Sequence, residues 1–303
     1  MIRNVGYVCI NNTLKAEGIR NNRKMIRKTF DAKGLGYTSE ITLANARDIL
    51  RILEWNEKHG VKLFRLTSNI APWASEYELA DLPDWHEIKA ALRAAGDFAR
   101  AHDHRLTMHP GQFNCLTSPT ERVVLNTIKD LTVHGQLMDA MGLPRSRESK
   151  INIHAGGTYG DPDSAMERFC RNFERLPETA RSRLTIENDD KPNAYSVSML
   201  HSGISSRTGV PIVFDAHHYD YGPADIPKSE ALRLAASTWP DGIVPVCHMS
   251  SSKKLHEDPT ANTYAAHADY IYDPFETDVT VDVVLEAKAK EAALFRYRDQ
   301  FLS

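Results

Sequence analysis

The segment "VFDAHHYDY", residues 213–221, opens as a buried β-strand should and then places Asp215, His217 and His218 within four positions. A carboxylate and an imidazole three residues apart, just past a strand, can both turn toward one point and face a cation. The same signature recurs along the chain. Runs rich in β-branched and aromatic residues end in His109, His154, Glu187, Asp215 with His218, His248 and Glu286, and His267 stands between the last two. Singly, each has a plain explanation as a cap or an ion pair. Together they read differently, because buried carboxylates and imidazoles that converge repel or go unsatisfied unless a cation joins them. Eight such side chains exceed the needs of one ion, so two or three divalent ions are expected, with Glu187 on the middle strand of the arc as their bridge. His217, on the opposite side of the pleat from Asp215 and His218, is expected to support them. Nitrogen and oxygen donors without thiolate suit Zn²⁺, Mn²⁺ or Fe²⁺. Clusters of this kind displace groups in line at phosphorus, and they also serve sugar isomerases. The ligands alone carry the chemistry only that far.

Composition narrows the setting. Of the 303 residues, 42% are hydrophobic and 25% charged, enough apolar material for a sizeable core. No run approaches the roughly 18 apolar residues of a membrane span, and "MIRNVGYVCINNTL" is too short in its apolar part for a signal peptide, so a cytoplasmic location without membrane attachment is expected. Cys9, Cys115, Cys170 and Cys247 are scattered without a CxxC pair, which fits reduced thiols and leaves metal binding to His and carboxylates. A formal net charge of −3 gives no general pull toward nucleic acid, so such a partner needs a local patch. "RNNRKMIRK" at 20–28 supplies Arg20, Arg23, Lys24, Arg27 and Lys28, and "SSKK" adds Lys253 and Lys254. From charge alone, a solvated face is the simpler reading of both.

The elements that must position these side chains are legible as alternation. Eight β-rich runs, "VGYVCI", "LFRLTS", "RLTMHP", "KINIHAG", "LTIEND", "PIVFDAHH", "IVPVCHMS" and "TVDVVLEA", are interleaved with helical periodicity at 44–59, 84–103, 119–141, 163–179, 193–207, 228–238 and 287–301. Parallel neighbours need crossover connections, so this order implies an α/β fold, a (β/α)₈ TIM barrel formed as a single domain over 1–303. An open doubly wound sheet is disfavoured, since no glycine-rich GxGxxG turn follows the first strand. "SPTE" at 118–121 predicts Ser118 as a helix cap with Pro119 at the first helical position. The longest connection, 11–43, follows the first strand and holds the basic cluster. Barrel enzymes carry their chemistry at the C-terminal rim of the strands, where the candidate ligands fall.

In order along the chain, "GYVCINNT", "HPGQF", "NIHAGGTYGD", "LTIENDD", "VFDAHH", "HMSSS", "HADYI" and "LEAKAKE" resemble the UV damage endonuclease family, a barrel related in shape to endonuclease IV. The resemblance runs from about residue 5 to 291. It implies a metal-dependent DNA repair endonuclease, with Mn²⁺ as the first candidate metal, that nicks damaged double-stranded DNA immediately 5′ to UV photoproducts; a site that must straddle a duplex is most simply monomeric, so a monomer is expected. It places His109, His154, Glu187, Asp215, His218, His248, His267 and Glu286 on metal ligands. Gln112 and Phe113 fall on the pair that probes the helix from the minor groove, and Tyr7 and Asn11 on the lining of the lesion pocket. Arg23 and Lys24 then read as phosphate contacts. Glu187 and Lys253 are the expected catalytic residues, the latter adding charge at the phosphate.

Three positions depart from the family pattern. Phe113 stands where Tyr is usual, which keeps the stacking ring and drops a hydroxyl. Glu76, in "PWASEYE", stands near the place of a further His and is a possible oxygen ligand. Val246 replaces a Lys whose carboxylated form can bind an extra ion, which bears on a third metal. Two rival readings remain: a sugar isomerase or epimerase on a related barrel, and a non-catalytic binder of damaged DNA.

Overall fold

Eight parallel strands close into a barrel in sequence order in the computed structural model, which describes residues 1–302. They are β1 (Ile2–Cys9), β2 (Leu63–Leu66), β3 (Arg105–Met108), β4 (Ile151–His154), β5 (Leu184–Glu187), β6 (Ile212–Asp215), β7 (Val246–Met249) and β8 (Val281–Leu285). Crossover helices cover the outside: α1 (Arg27–Lys58), α2 (Trp85–Ala101), α3 (Glu121–Ala140), α4 (Pro162–Phe173), α5 (Lys228–Ser237) and α6 (Glu291–Phe301). The fifth crossover is built of short pieces, with a π-helical turn at His201–Ser205. This is the (β/α)₈ barrel that the alternation predicts.

Pleat alternation splits each strand between two environments. Outward residues such as Phe64, Leu106, Ile151, Ile186 and Phe214 are fully buried against helix residues such as Ile49, Leu53, Leu92, Leu131 and Phe169. Burying each such side chain is worth about 1.5–3 kcal/mol, so this layer dominates stability. Inside the barrel, Val8, Leu63, Val213, Val246 and Val284 form a small apolar cluster with Trp239. The inward residues of the opposite wall are polar: Arg65, Thr107, Lys150, Asn152 and Thr185 are all buried.

At the base of the barrel a second set of buried charges is fully paired. Asp282 on β8 accepts from Arg3 Nε (2.9 Å), Asn4 Nδ2 (3.2 Å) and Arg105 Nη1 (2.8 Å). Arg105 also donates to the carbonyls of Val244, Glu148 and Arg147.

Three local expectations are corrected. The 11–43 connection is helical from Arg27 onward, because α1 runs through a kink at Gly34 (φ 62°), a conformation that glycine adopts without a Cβ penalty. Ser118 does not cap α3: its Oγ accepts from Thr120 N–H (3.1 Å) in the preceding turn, and α3 begins three residues later than Ser118. The helix expected over 163–179 ends at Phe173, and Glu178–Arg181 forms a separate turn.

Candidate metal centre at the barrel mouth

The C-terminal ends of β3 to β8 bring the candidate ligands together. His109, just past β3, sets its Nε2 2.6 Å from Glu187 Oε1. His154 at the end of β4 sets its Nε2 2.9 Å from the same oxygen. The other oxygen, Oε2, lies 2.8 Å from His248 Nδ1 on β7. That nitrogen is also 3.3 Å from Glu286 Oε1 and 3.8 Å from Asp215 Oδ2. Three sets of side chains each bring one ligand atom per residue within 4.8 Å of one another: His109, His154 and Glu187; Glu187, Asp215 and His248; His109, His248 and Glu286. The sets share members, with Glu187 joining the first two. His218 and His267, also expected as ligands, belong to none of these sets but stand beside them. The His218 ring lies 5.4 Å from that of His154, and His267 Nδ1 lies 3.9 Å from Glu286 Oε2.

The imidazoles are oriented by what lies behind them. His109 Nδ1 meets the Pro110 carbonyl (3.0 Å), His218 Nδ1 the Asn188 carbonyl (2.9 Å) and His267 Nδ1 the Glu286 carbonyl (3.0 Å). His154 Nδ1 lies 3.1 Å from Asp189 Oδ2. The carbonyls behind His109, His218 and His267 orient those rings through Nδ1 and leave Nε2 facing the mouth, whereas His154 Nδ1 is within ion-pair distance of Asp189 without a hydrogen bond. His248 is reversed: Nδ1 faces the carboxylates, and Nε2 lies 3.2 Å from Lys150 Nζ. His217 sits behind His267, with its Nε2 3.0 Å from the Ala265 carbonyl and its ring 5.1 Å from that of His267. After His154 the chain turns at Gly156 (φ 112°), where a Cβ would stand 2.3 Å from Cys115 Sγ.

Glu187 Oε2, Asp215 Oδ2 and His248 Nδ1 are buried and make no hydrogen bond, although His248 Nδ1 is within ion-pair distance of both oxygens. Carboxylate oxygens buried without a donor are costly unless a cation compensates. The residues therefore fit divalent ions held by nitrogen and oxygen. Burial opposes the charge on Glu187, yet His109 and His154 hold its carboxyl well below the usual range. Burial also opposes the charge on His218, but Asp215 and Glu187 raise it to about 9. Burial pushes Lys150 down to about 7, and burial with Lys150 alongside lowers His248 to about 4, so His248 is uncharged at neutral pH. Arg65 on β2 pairs with Glu286 Oε1 at the edge of the cluster.

The remaining candidates divide. Gln112 and Phe113 form the exposed tip of a turn after β3, with Phe113 85% exposed. Asn114 braces this turn, since its N–H and Nδ2 both donate to the Gly111 carbonyl (3.1 and 3.0 Å). Lys24, Trp73 and Phe113 border a cavity of about 700 Å³ beside the turn. A larger cavity, about 830 Å³, lies against β6, β7 and α5 and contains none of the candidate ligands. Lys253 begins the short helix Lys253–His256 on the β7–β8 connection, and among the described residues no bond joins its ammonium to the cluster.

Tyr7 and Asn11, expected to line a lesion pocket, are both buried. Tyr7 is fully buried and its hydroxyl donates to Asn56 Oδ1 (2.6 Å), while Asn11 donates to Tyr7 and caps the Asn12–Ala16 helix. Arg23 is tied down by Asp48 (2.7 Å) and so is not a free cation. Glu76 pairs with Arg27 (3.3 Å) and belongs to none of the ligand sets. Val246 is buried in the apolar cluster and offers no ligand. The sequence reading missed Lys150, Arg65, Asn188 and Asp189; only "ENDD", polar residues directly after a strand-end Glu, carried a signal for the last two.

The family model described as UV-endonuclease UvdE matches residues 3–303. A UV DNA damage endonuclease of Bacillus thuringiensis subsp. konkukian is 34% identical over 280 residues, 87% of this chain and 83% of that protein. The crystal structure of SacUVDE superposes with a TM-score of 0.83 at 30% identity, covering 98% of this chain and 96% of that one. Endonuclease IV from Thermus thermophilus (TM-score 0.56, 15% identity, 83% of this chain and 93% of that one) is alike in fold alone. With a whole-length family match added to the ligands gathered at its mouth, the chain belongs to the UV-endonuclease family.

Proposed function

We propose that this protein is a metal-dependent DNA repair endonuclease that nicks the backbone 5′ to UV photoproducts. The observation that carries this reading is the set of buried, unbonded ligand atoms around Glu187, close to the exposed Gln112–Phe113 turn. His109, His154, Glu187, Asp215, His218, His248, His267 and Glu286 would hold two or three divalent ions, Mn²⁺ first and Zn²⁺ or Fe²⁺ next, with Glu187 shared between them. When bound, such ions activate a water and neutralise charge on the scissile phosphate. The rest falls to the chain. A photoproduct stacks and pairs poorly, so extruding it costs less than the few kcal/mol of an ordinary base. Phe113 is free to enter from the minor groove and replace lost stacking, and Gln112 to bond the orphaned bases. The 700 Å³ cavity beside them gives extruded bases room. Lys24 and Lys253 add positive charge along the backbone path.

The test is purified protein incubated with UV-irradiated and untreated plasmid, with Mn²⁺ or with EDTA. Nicking confined to irradiated DNA and abolished by EDTA is expected. Retention of damaged DNA without nicking would instead support a binder, and inertness toward both would overturn the nuclease reading.

A further inference from the structure

We propose that Asn188 and Asp189 are positioning residues that set the ligands of both neighbouring strands around Glu187; this rests on the metal-dependent reading of the mouth. The three residues are consecutive, so one segment leaving β5 addresses both sides. Toward β6, Asn188 acts as a surrogate piece of backbone. Its Oδ1 accepts from Asp215 N–H (2.9 Å), its Nδ2 donates to the Asp215 carbonyl (2.9 Å), and its own main-chain carbonyl accepts from His218 Nδ1 (2.9 Å). The β5–β6 pairing runs through Ile186 with Ile212 and Glu187 with Val213, and the amide carries that ladder onward to the residue that bears a ligand. Asn188 is 2% exposed, so water does not compete for these bonds. A side-chain amide offers a donor and an acceptor side by side, as a peptide does; a carboxylate offers acceptors alone.

Toward β4, Asp189 Oδ2 lies 3.1 Å from His154 Nδ1, while the other ring nitrogen lies 2.9 Å from Glu187 Oε1. The ring lies between two carboxylates two residues apart in sequence, its Nδ1 within ion-pair distance of Asp189 but making no hydrogen bond. Asp189 is itself anchored, its Oδ1 accepting from Lys191 N–H (3.2 Å). Through this segment the ligands of β4, β5 and β6 share one support, and a loss at 188 or 189 displaces a neighbour's ligand without touching Glu187.

Asn188→Leu, Asn188→Asp and Asp189→Asn test this, the last two conserving volume. Three readouts apply: hydrogen exchange of the Asp215 amide in ion-free protein, Mn²⁺ affinity by calorimetry, and kcat and KM on UV-irradiated duplex. Asn188→Leu should speed Asp215 exchange at least about tenfold while distant amides keep their rates, weaken Mn²⁺ binding about 10–100-fold, and lower kcat with KM little changed. Asn188→Asp should fall between it and wild type, and Asp189→Asn should weaken Mn²⁺ binding about tenfold. Wild-type Mn²⁺ affinity and kcat in both Asn188→Leu and Asp189→Asn would overturn the proposal, as would a uniform loss of exchange protection across the barrel. If wild type binds no Mn²⁺, the metal-dependent reading fails on its own. Asp215 exchange then still decides: faster exchange in Asn188→Leu supports the clamp, and unchanged exchange refutes it.

Discussion

Glu187 and Asp282 are both buried carboxylates inside one barrel, at opposite ends of its strands. Asp282 is closed off by Arg3, Asn4 and Arg105, and neither oxygen lacks a hydrogen bond. Glu187 is crowded by three imidazoles, and its Oε2 still lacks one. A buried charge with matched partners is part of the scaffold. A buried carboxylate with an oxygen left without a donor has room for something positive. Burial alone would have ranked the two alike; the oxygen left without a donor separates them.

That contrast breaks most sharply by neutralising each carboxylate in turn. Glu187→Gln should cut nicking of UV-irradiated plasmid by on the order of 10³-fold while leaving the ion-free protein at least as resistant to urea. Asp282→Ala should do the reverse. It strands Arg105 in the base and should cost about 3–5 kcal/mol of stability in urea unfolding, with activity per folded molecule retained. A urea midpoint shared with wild type would remove the scaffold role of Asp282.

Smaller effects sharpen the picture. Phe113→Ala removes an exposed ring, so melting should be unchanged, while preference for irradiated over untreated DNA should fall roughly tenfold, within the ~1–3 kcal/mol of one base–aromatic stack. An equal loss on both DNAs would detach the turn from lesion recognition. At the base, Lys62 and His104 lower the Glu57 carboxyl to about 2. Its folded value is depressed, so its contribution is present above the ordinary value of 4.5 and is lost as pH falls toward 2. Ion-free wild type should therefore lose melting temperature between pH 5 and 3 more steeply than Glu57→Gln, by a small margin because the group is partly exposed. Parallel pH profiles would contradict this.

The barrel was legible because each unit repeats the same signal, a β-branched run followed by helical periodicity, and strand ends at one rim must converge once eight units close. His109, His154, Glu187, Asp215, His248 and Glu286 follow from that alone. The residues behind them do not. Asn188 looks like any loop Asn until its amide is seen pairing with Asp215, and Lys150 like any strand-edge Lys until its side chain is found inside the barrel. Tyr7 was marked by motif position alone, and strand alternation turns its hydroxyl toward Asn56 on α1. Arg23 counted as a free cation in the sequence because its partner Asp48 lies 25 residues on, across a helix.

The most direct measurement is the number of Mn²⁺ ions bound per chain after equilibrium dialysis, in wild type and in Glu187→Gln. The account predicts at least two for wild type and fewer for the variant, since both ligand sets that share Glu187 lose its negative charge and one of its two oxygens. An equal number in the two proteins, or none in wild type, would contradict it.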